Sequence, residues 1–526
     1  MILKTACIQQ IARDVTEYKK AWEDIIKLID KAAAKKPDLI VLPESAYPAY
    51  FLGYNQKKCD ESLENIDEVI NELKNKARDY KTYIAAGLVL KEKDKKYNAG
   101  ILINRKGEII ATTKKSNLWH FDHKWLESGE VADVVQTEFG KIGLMICADG
   151  RAPEIPRILA LRGAEIIIDL ANLTSTGRDP AKLSNAQLDY MLATRAIENN
   201  IWLIMADKIG LEANTILYAG GSCVINPAGE FINRASPNQK EIIFTEIKKD
   251  TNNKLPVKRE AEDYLSLVEE TDNLAIKDKL NKKIKIGESE VQISAVQFEY
   301  EKGNAKSYLK FAQNFIRQLE IQDSKIIILP ELDREINLEK ITKKIKEIIN
   351  KKETIIVLTA YNNENKKVYK EVSVFSNTKN YGKYQKVHIE EDENLAQGEK
   401  NKGIIKTPYA DLGIMVDKEG LVPEVGRKLM LLGAEIIIWT GDYYHPKEET
   451  IICSRAAENK VFVIKDGKKG NYITTPGGQI IAATLVDINQ AISKLILPPY
   501  ALAKNVVPGT NVVLDRKPKS YKELIK

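Results

Sequence analysis

Hydrophobic positions follow two patterns that alternate along the chain. Short continuous apolar runs, such as residues 39–42 (LIVL) and 166–168 (III), are typical of β-strands that are buried on both faces. Longer segments between them show helical spacing: Trp22, Ile25 and Ile29 fall at positions i, i+3 and i+7, which predicts an amphipathic helix. Strands that alternate with helices in this way predict an α/β fold.

The same order of segments occurs twice. Residues 143–168 (GLMICADGRAPEIPRILALRGAEIII) return without a gap as residues 413–438, and residues 39–45 (LIVLPES) return as residues 326–332 (IIILPEL). A repeat on this scale predicts a tandem duplication of one domain, and we interpret the lysine-rich stretch between the copies as a linker. The predicted first domain, linker and second domain cover residues 1–275, 276–288 and 289–526.

The composition narrows the functional classes. The chain has 44% hydrophobic and 29% charged residues and a net charge of +6 that is spread along the sequence, so we expect a globular protein without a nucleic-acid partner. Five scattered cysteines and four histidines without ligand spacing predict no metal and favour a reducing, cytoplasmic location. No apolar run approaches the roughly 18 residues of a membrane helix, so we expect no membrane partner.

Three reactive side chains follow apolar strands. Glu44 ends the segment LIVLPE, Lys115 follows IIATTK, and Cys147 follows IGLMI. Each alone has an ordinary explanation, as a helix cap, a surface lysine or a small buried thiol. The carboxyl ends of strands in one α/β sheet meet at one edge, so we expect the three to lie together. A nearby lysine would lower the pKa of the Cys147 thiol, and the amide of Ala148 is placed to face an oxyanion.

The order of Glu44 in LPES, Lys115 in KSNL and Cys147 in GLMICADGRAPEIPR resembles the nitrilase superfamily of carbon-nitrogen hydrolases, whose triad is Glu, Lys and Cys. The resemblance implies a four-layer αββα sandwich for each copy of the domain. It also implies that Glu44 is the general base, Cys147 the nucleophile, and Lys115 the cation that stabilises the tetrahedral intermediate. No metal or organic cofactor is implied.

Further residues are candidates for positioning the substrate. Many members of the superfamily carry a second glutamate near the lysine; Asp122 in DHKWLESG is the equivalent here, and is shorter by one methylene. His120 and His123 lie nearby and are alternatives for its role. Arg151 either binds a substrate carboxylate or forms a structural salt bridge.

The second copy of the domain has lost its nucleophile. The ungapped repeat places Asp417 opposite Cys147, while Glu331 and Lys386 stay opposite Glu44 and Lys115. Glu391 is expected opposite Asp122. An aspartate beside a lysine favours a buried ion pair over catalysis, so we predict that the second copy is catalytically silent.

The predicted function is thiol-dependent hydrolysis of a small amide or N-carbamoyl compound through a thioester on Cys147. Ala148 and Asp149 stand where true nitrilases tend to have Trp and Glu, which disfavours a nitrile substrate. Two alternatives stay open: acyl transfer from the same thioester, and a non-catalytic binding or scaffold protein. Members of the superfamily commonly dimerise, so we expect the two halves to pair within the chain, and a homo-oligomer of the whole chain is also compatible.

Overall fold

The computed structural model describes residues 2–175, 183–248, 254–280, 290–484, 489–496 and 503–526. Contacts between residues divide the chain into two compact units. Unit 1 consists of residues 1–256 and 507–510, and unit 2 consists of residues 257–506 and 511–526. Unit 1 therefore combines a long stretch of the chain with a short segment that is distant in sequence, and unit 2 is interrupted only by those four residues.

Unit 1 contains two β-sheets. Its strands are β1 (Ile2–Ile11), β2 (Leu39–Val41), β3 (Tyr83–Glu92), β4 (Lys95–Ile103), β5 (Ile109–Lys114), β6 (Val135–Thr137), β7 (Gly140–Ile146), β8 (Ile166–Leu170), β9 (Trp202–Ala206), β10 (Lys208–Glu212), β11 (Ile216–Ala219), β12 (Cys223–Ile225), β13 (Phe231–Arg234) and β14 (Glu241–Lys248). The first sheet has the order β11-β10-β1-β2-β3-β4-β5, with β14 antiparallel to β1, and the second has the order β13-β12-β9-β8-β7-β6.

Helices cover the outer faces of both sheets of unit 1. They are α1 (Tyr18–Ala33), α2 (Gln56–Glu64), α3 (Ile66–Tyr80), α4 (Glu154–Leu161) and α5 (Leu192–Asn199). Ile25 and Ile29 of α1 are fully buried against the first sheet, as their helical spacing predicts. Apolar side chains of the two inner faces, such as Val41 and Ile168, share one core. The layers are therefore helix, sheet, sheet, helix.

Unit 2 repeats this architecture. Its strands are β15 (Glu290–Val296), β16 (Ile326–Leu329), β17 (Ile355–Glu364), β18 (Lys367–Phe375), β19 (Asn380–Gln385), β20 (Ile404–Lys406), β21 (Asp411–Val416), β22 (Ile436–Thr440), β23 (Phe462–Lys465), β24 (Tyr472–Thr474), β25 (Ile480–Ala483) and β26 (Gln490–Ile496). Its helices are α6 (Ile276–Leu280), α7 (Ala305–Ile321), α8 (Leu338–Ile348), α9 (Pro423–Leu431) and α10 (Glu448–Asn459). Near the C-terminus, β27 (Asn505–Val507) pairs with β28 (Thr510–Asn511).

The sheets of unit 2 have the orders β19-β18-β17-β16-β15-β26 and β20-β21-β22-β23-β24-β25. They match the two sheets of unit 1 strand by strand, except that the described part of unit 2 has no counterparts of β10 and β11. Helices α7 and α8 pack on one outer face, and α9 and α10 on the other. The predicted tandem pair of four-layer αββα sandwiches is confirmed.

The segment at residues 257–275, which the sequence repeat assigns to the first domain, belongs to unit 2 by its contacts. The buried Lys428 Nζ lies 2.6 Å from Asp263 Oδ2, and the Tyr264 hydroxyl lies 2.6 Å from His388 Nε2. Local sequence similarity does not encode such long-range packing. Helix α6 forms the first part of the predicted linker, and residues 281–288 lie outside the described residues.

Candidate active site

The three reactive side chains lie at the carboxyl ends of strands in unit 1. Glu44 follows β2, Lys115 follows β5 directly, and Cys147 follows β7 directly. Glu44 and Lys115 are completely buried, and Cys147 is 6% exposed. The first two follow strands of one sheet and the third follows a strand of the facing sheet, so the site lies at the end of the sandwich.

Lys115 lies between two carboxylates. Its Nζ is 2.7 Å from Glu44 Oε1 and 2.7 Å from Asp122 Oδ2, and all three side chains are fully buried. Asn98 Nδ2 also donates to Glu44 Oε1, at 2.5 Å. The other oxygen of Glu44, Oε2, is buried and accepts no hydrogen bond from the residues that the structure describes. It is therefore free to accept a proton.

Burial and neighbouring charges shift the pKa values of this group. Burial raises the pKa of Glu44; the charge of Asp122 adds to this, and the charge of Lys115 opposes it. Burial alone would lower the pKa of Lys115, but the charges of Asp122 and Glu44 outweigh it and raise that pKa well above its ordinary value. Lys115 is therefore a permanent cation at the site.

Cys147 occupies a strained turn between β7 and α4. Its φ of 49° is in the left-handed region, which non-glycine residues rarely adopt, and strain of this kind is common at functional sites. Its backbone N–H donates to Asp169 Oδ1 at 2.8 Å, and its Sγ is 3.6 Å from the carbonyl oxygen of Asn172. Asp149 secures the turn by accepting from the N–H of Ile146 at 3.0 Å.

The pKa of the Cys147 thiol is raised, whereas the sequence suggested that it would be lowered. Burial is the main cause, and the nearby charge of Glu44 adds to it, whereas Lys115 only partly opposes the shift. Because Lys115 is already neutralised by two carboxylates, it cannot hold Cys147 as a thiolate. The thiol must therefore lose its proton to a base in the course of a reaction.

A small cavity lies against Cys147. Its lining includes Tyr50, Ala148, Arg151 and Asn172, and its volume of about 10 Å³ has room for roughly one water molecule. The Ala148 N–H donates to no residue that the structure describes, so it is available to an oxyanion. The Arg151 guanidinium lies 4.3 Å from the centre of the Trp119 ring, without an ion-pair partner among the described residues.

The histidines near Asp122 do not contact Lys115. The turn at His120–Lys124 directs Asp122 inward, and the Trp119 N–H holds it with a hydrogen bond of 3.0 Å to Oδ2. The backbone N–H of His120 instead donates to Thr510 Oγ1, at 2.9 Å, in the short C-terminal segment of unit 1. His123 is exposed.

Sequence reasoning missed three polar residues of this site. The sequence does not mark Asn98 as a site residue, because an uncharged residue within a strand is common. Asp169 ends the apolar run IIID, and the criterion that singled out Glu44, a charge at the end of a buried strand, would have found it. Asn172 lies in the loop after β8, and both polar atoms of its buried side chain lack partners among the described residues.

The corresponding site in unit 2 is occupied by a network of ion pairs. Lys370 Nζ is 2.8 Å from both Glu331 Oε2 and Asp417 Oδ1, and Lys386 Nζ is 3.0 Å from Asp417 Oδ2. Burial would raise the pKa of Asp417, but the two lysines lower it below its ordinary value. Lys386 also pairs with Glu393. Asp417 is therefore a stable anion held between two cations.

The sequence repeat placed Glu391 opposite Asp122, but the structure brings Glu393 to Lys386 instead. Glu391 is exposed. Glu393 lies seven residues after Lys386, as Asp122 lies seven residues after Lys115, and the part of the loop that follows is two residues shorter in the second copy. A second replacement accompanies the loss of the cysteine: Trp439 of β22 stands where unit 1 has Asp169, and its Nε1 donates to the Asp417 carbonyl at 2.7 Å. The turn that holds Cys147 in unit 1 is thus repacked with an indole ring in unit 2.

Comparison with known proteins identifies the family. The sequence profile of the carbon-nitrogen hydrolase family matches residues 4–255 and 292–487. The chain therefore belongs to the carbon-nitrogen hydrolase family and carries its domain twice, which confirms the resemblance to the nitrilase superfamily.

Two curated relatives illustrate the similarity. A nitrilase of Pyrococcus abyssi (strain GE5 / Orsay) is 30% identical over 252 residues, which cover 47% of this chain and 90% of the relative. An omega-amidase of Saccharomyces cerevisiae is 27% identical over 244 residues, which cover 42% of this chain and 78% of the relative.

Two solved structures are similar to the chain. A carbon-nitrogen hydrolase from Helicobacter pylori G27 has 25% identity and a TM-score of 0.43, and the match covers 47% of this chain and 90% of the other. An amidase from Nesterenkonia sp. has 24% identity and a TM-score of 0.42, with the same coverage of both chains.

The structure also bears on membranes and metals. Within the described ranges, no helix is long and apolar enough to cross a bilayer. In the same part of the chain, no group of at least three His, Cys, Asp or Glu side chains is arranged to hold a metal ion.

Proposed function

We propose that unit 1 hydrolyses the C–N bond of a small amide or N-carbamoyl compound through a thioester on Cys147. The observation that carries the proposal is the buried network in which Lys115 bridges Glu44 and Asp122, beside a cysteine in a strained turn. Family membership supports the reaction class, and an omega-amidase among the relatives is consistent with an amide substrate.

The proposed reaction starts with proton transfer from Cys147 Sγ to the free Oε2 of Glu44, while Sγ attacks the carbonyl carbon. The oxyanion receives hydrogen bonds from Lys115 Nζ and the Ala148 N–H. As the tetrahedral intermediate collapses, Glu44 returns the proton to the leaving nitrogen, and ammonia or an amine departs. Glu44 then takes a proton from water, whose oxygen attacks the thioester and releases a carboxylic acid and the Cys147 thiol.

We further propose that the substrate carries a carboxylate, which Arg151 binds. The cavity beside Cys147 contains this guanidinium without a carboxylate partner among the described residues, together with the buried amide of Asn172. A planar guanidinium suits bidentate binding of a carboxylate. Because the cavity is small, its lining side chains must move to admit a substrate.

Unit 2 is proposed to be catalytically silent, because Asp417 stands in place of the cysteine and is neutralised by Lys370 and Lys386. A cytoplasmic location, pairing of the two halves and a homo-oligomer of the whole chain stay predictions. Measuring the molecular mass of the full chain in solution would test whether it forms a homo-oligomer.

Intact-protein mass spectrometry tests the reaction. Wild type, Cys147→Ala and Asp417→Ala are incubated with small amides, N-carbamoyl amino acids and ω-amides, and released ammonia is assayed in parallel. We expect an acyl adduct and turnover in wild type and Asp417→Ala, and neither in Cys147→Ala. Turnover that survives in Cys147→Ala, or its absence across the panel, would support the binding-protein alternative. Products formed with added amines or alcohols would instead indicate acyl transfer.

A further inference from the structure

A second, larger cavity lies in unit 2. It is formed where the carboxyl ends of β15, β16, β22 and β23 meet, and its volume is about 490 Å³. Cavities that bind small molecules typically measure about 300–1,000 Å³. In unit 1, β1 continues to Ile11 and pairs with β10 at the matching place, whereas β15 ends at Val296. The cavity therefore occupies space that unit 1 fills with its own chain.

Carboxylates line this cavity at positions that are uncharged in unit 1. The parallel pairing of β22 with β23 and of β8 with β9 lets the two units be matched residue by residue. Three of the five lining acids, Asp333, Asp442 and Asp466, have the uncharged counterparts Ala46, Asn172 and Ala206 in unit 1. Of the other two, Glu299 is exposed, and Glu331 corresponds to Glu44 and is paired with Lys370.

Asp466 is a buried acid whose loss of hydration is compensated only in part by its surroundings. It is 4% exposed, and its Oδ2 accepts a hydrogen bond from the Thr440 hydroxyl at 3.2 Å. Within the described residues, Oδ1 accepts no hydrogen bond and no lysine or arginine forms an ion pair with the side chain. Burial raises its pKa to about 7, although the nearby charge of Lys465 and the hydrogen bond from Thr440 oppose this shift. Placing a carboxylate here costs stability unless a cation approaches it.

The other residues that line the cavity indicate which kind of cation would fit it. Phe298 and Tyr300 are among the lining residues, and aromatic rings attract cations and pack against carbon chains. Lys302 and Lys468 also contribute to the lining, but both are exposed, so the buried part of the cavity is acidic. An inorganic ion would leave most of this volume and its aromatic wall unused.

We propose that this cavity of unit 2 binds a small organic cation, whose ammonium group lies against Asp466 and Asp442 and whose carbon chain lies along Phe298 and Tyr300. The site is separate from the Cys147 centre and does not depend on the reaction proposed for unit 1. It gives the nucleophile-lacking copy a binding role of its own.

Isothermal titration calorimetry of the full chain at pH 7.5 tests the proposal. The probes are ammonium, 1,4-diaminobutane and spermidine, with 1,4-butanediol, succinate and Mg²⁺ as uncharged, anionic and inorganic comparisons. We expect one equivalent of an organic amine to bind, and Asp466→Asn to weaken that binding by about tenfold or more, because it removes a charge-assisted hydrogen bond. Asp392→Asn, which changes an exposed acid of unit 2, should bind as wild type does.

Three results would overturn the proposal: no heat with any amine at millimolar concentration, unchanged affinity in Asp466→Asn, or equal affinity for the diol or Mg²⁺. Asp442→Asn is measured as a second variant, because it changes an exposed residue and should fold normally. Thermal unfolding of each variant separates a lost site from a lost fold. Asp466→Asn should unfold at or above the wild-type temperature, since it removes a buried charge that is compensated only in part.

Discussion

The buried pair of Asp263 and Lys428 gives the sharpest test of how unit 2 is built. Lys428 Nζ lies 2.6 Å from Asp263 Oδ2, and both side chains are at most 1% exposed. Asp263→Asn keeps the shape but leaves a buried ammonium without its counter-charge, which costs about 3–5 kcal/mol. For a domain of this size, each kcal/mol shifts Tm by about 2–4 °C, so the transition of unit 2 should fall by about 6–20 °C.

Differential scanning calorimetry of the full chain measures this shift, and hydrogen exchange in peptides from β2 and β21 assigns it to a unit. Asp278→Asn, an exposed acid in α6, is the matched control and should leave both transitions unchanged. The double variant Asp263→Asn with Lys428→Met should recover most of the loss, because it removes the unpaired charge. A loss below about 1 kcal/mol, or a loss confined to unit 1, would refute the assignment of residues 257–275 to unit 2.

Two further predictions concern pH. Burial raises the pKa of Glu44, and the charge of Asp122 adds to this. Asp122→Asn removes that charge, so the acid limb of the rate profile should move to lower pH, and an unmoved limb would exclude Glu44 as the base. Burial lowers the pKa of Lys504 to about 7 from 10.5, so between these values the unfolded chain binds more protons than the folded one, and the stability of unit 2 should rise with pH. Urea unfolding at pH 7.5 and pH 9 should show this rise in wild type and in Lys343→Met, and not in Lys504→Met.

Much of the fold could be predicted from the sequence, because apolar runs and helical spacing are local signals. Ile25 and Ile29 were expected on the buried face of one helix, and they are buried there. Glu44 and Lys115 were expected to meet because they follow strands of one sheet, and their side chains are 2.7 Å apart.

The remaining features depend on contacts that no local pattern records. Glu393 takes the position expected for Glu391 because the part of the loop after the carboxylate is two residues shorter in the second copy, while the spacing from the lysine is the same. Asn98 contacts Glu44 from the middle of a strand, where its residue type carries no signal. The pKa of Cys147 is raised because burial outweighs the attraction of Lys115. The relative size of these two effects can be judged only from the folded structure.

Unit 1 is built from two segments that lie far apart in the sequence, so its folding during translation can be completed only after the second segment has been synthesised. Its last segment, residues 507–510, includes Thr510, which receives a hydrogen bond from His120 in the turn that carries Asp122. At about 5–20 residues per second, roughly 13 to 50 seconds separate the synthesis of residue 256 from that of residue 510. The turn beside the candidate active site of the nascent first copy therefore lacks this hydrogen bond until residue 510 has been translated.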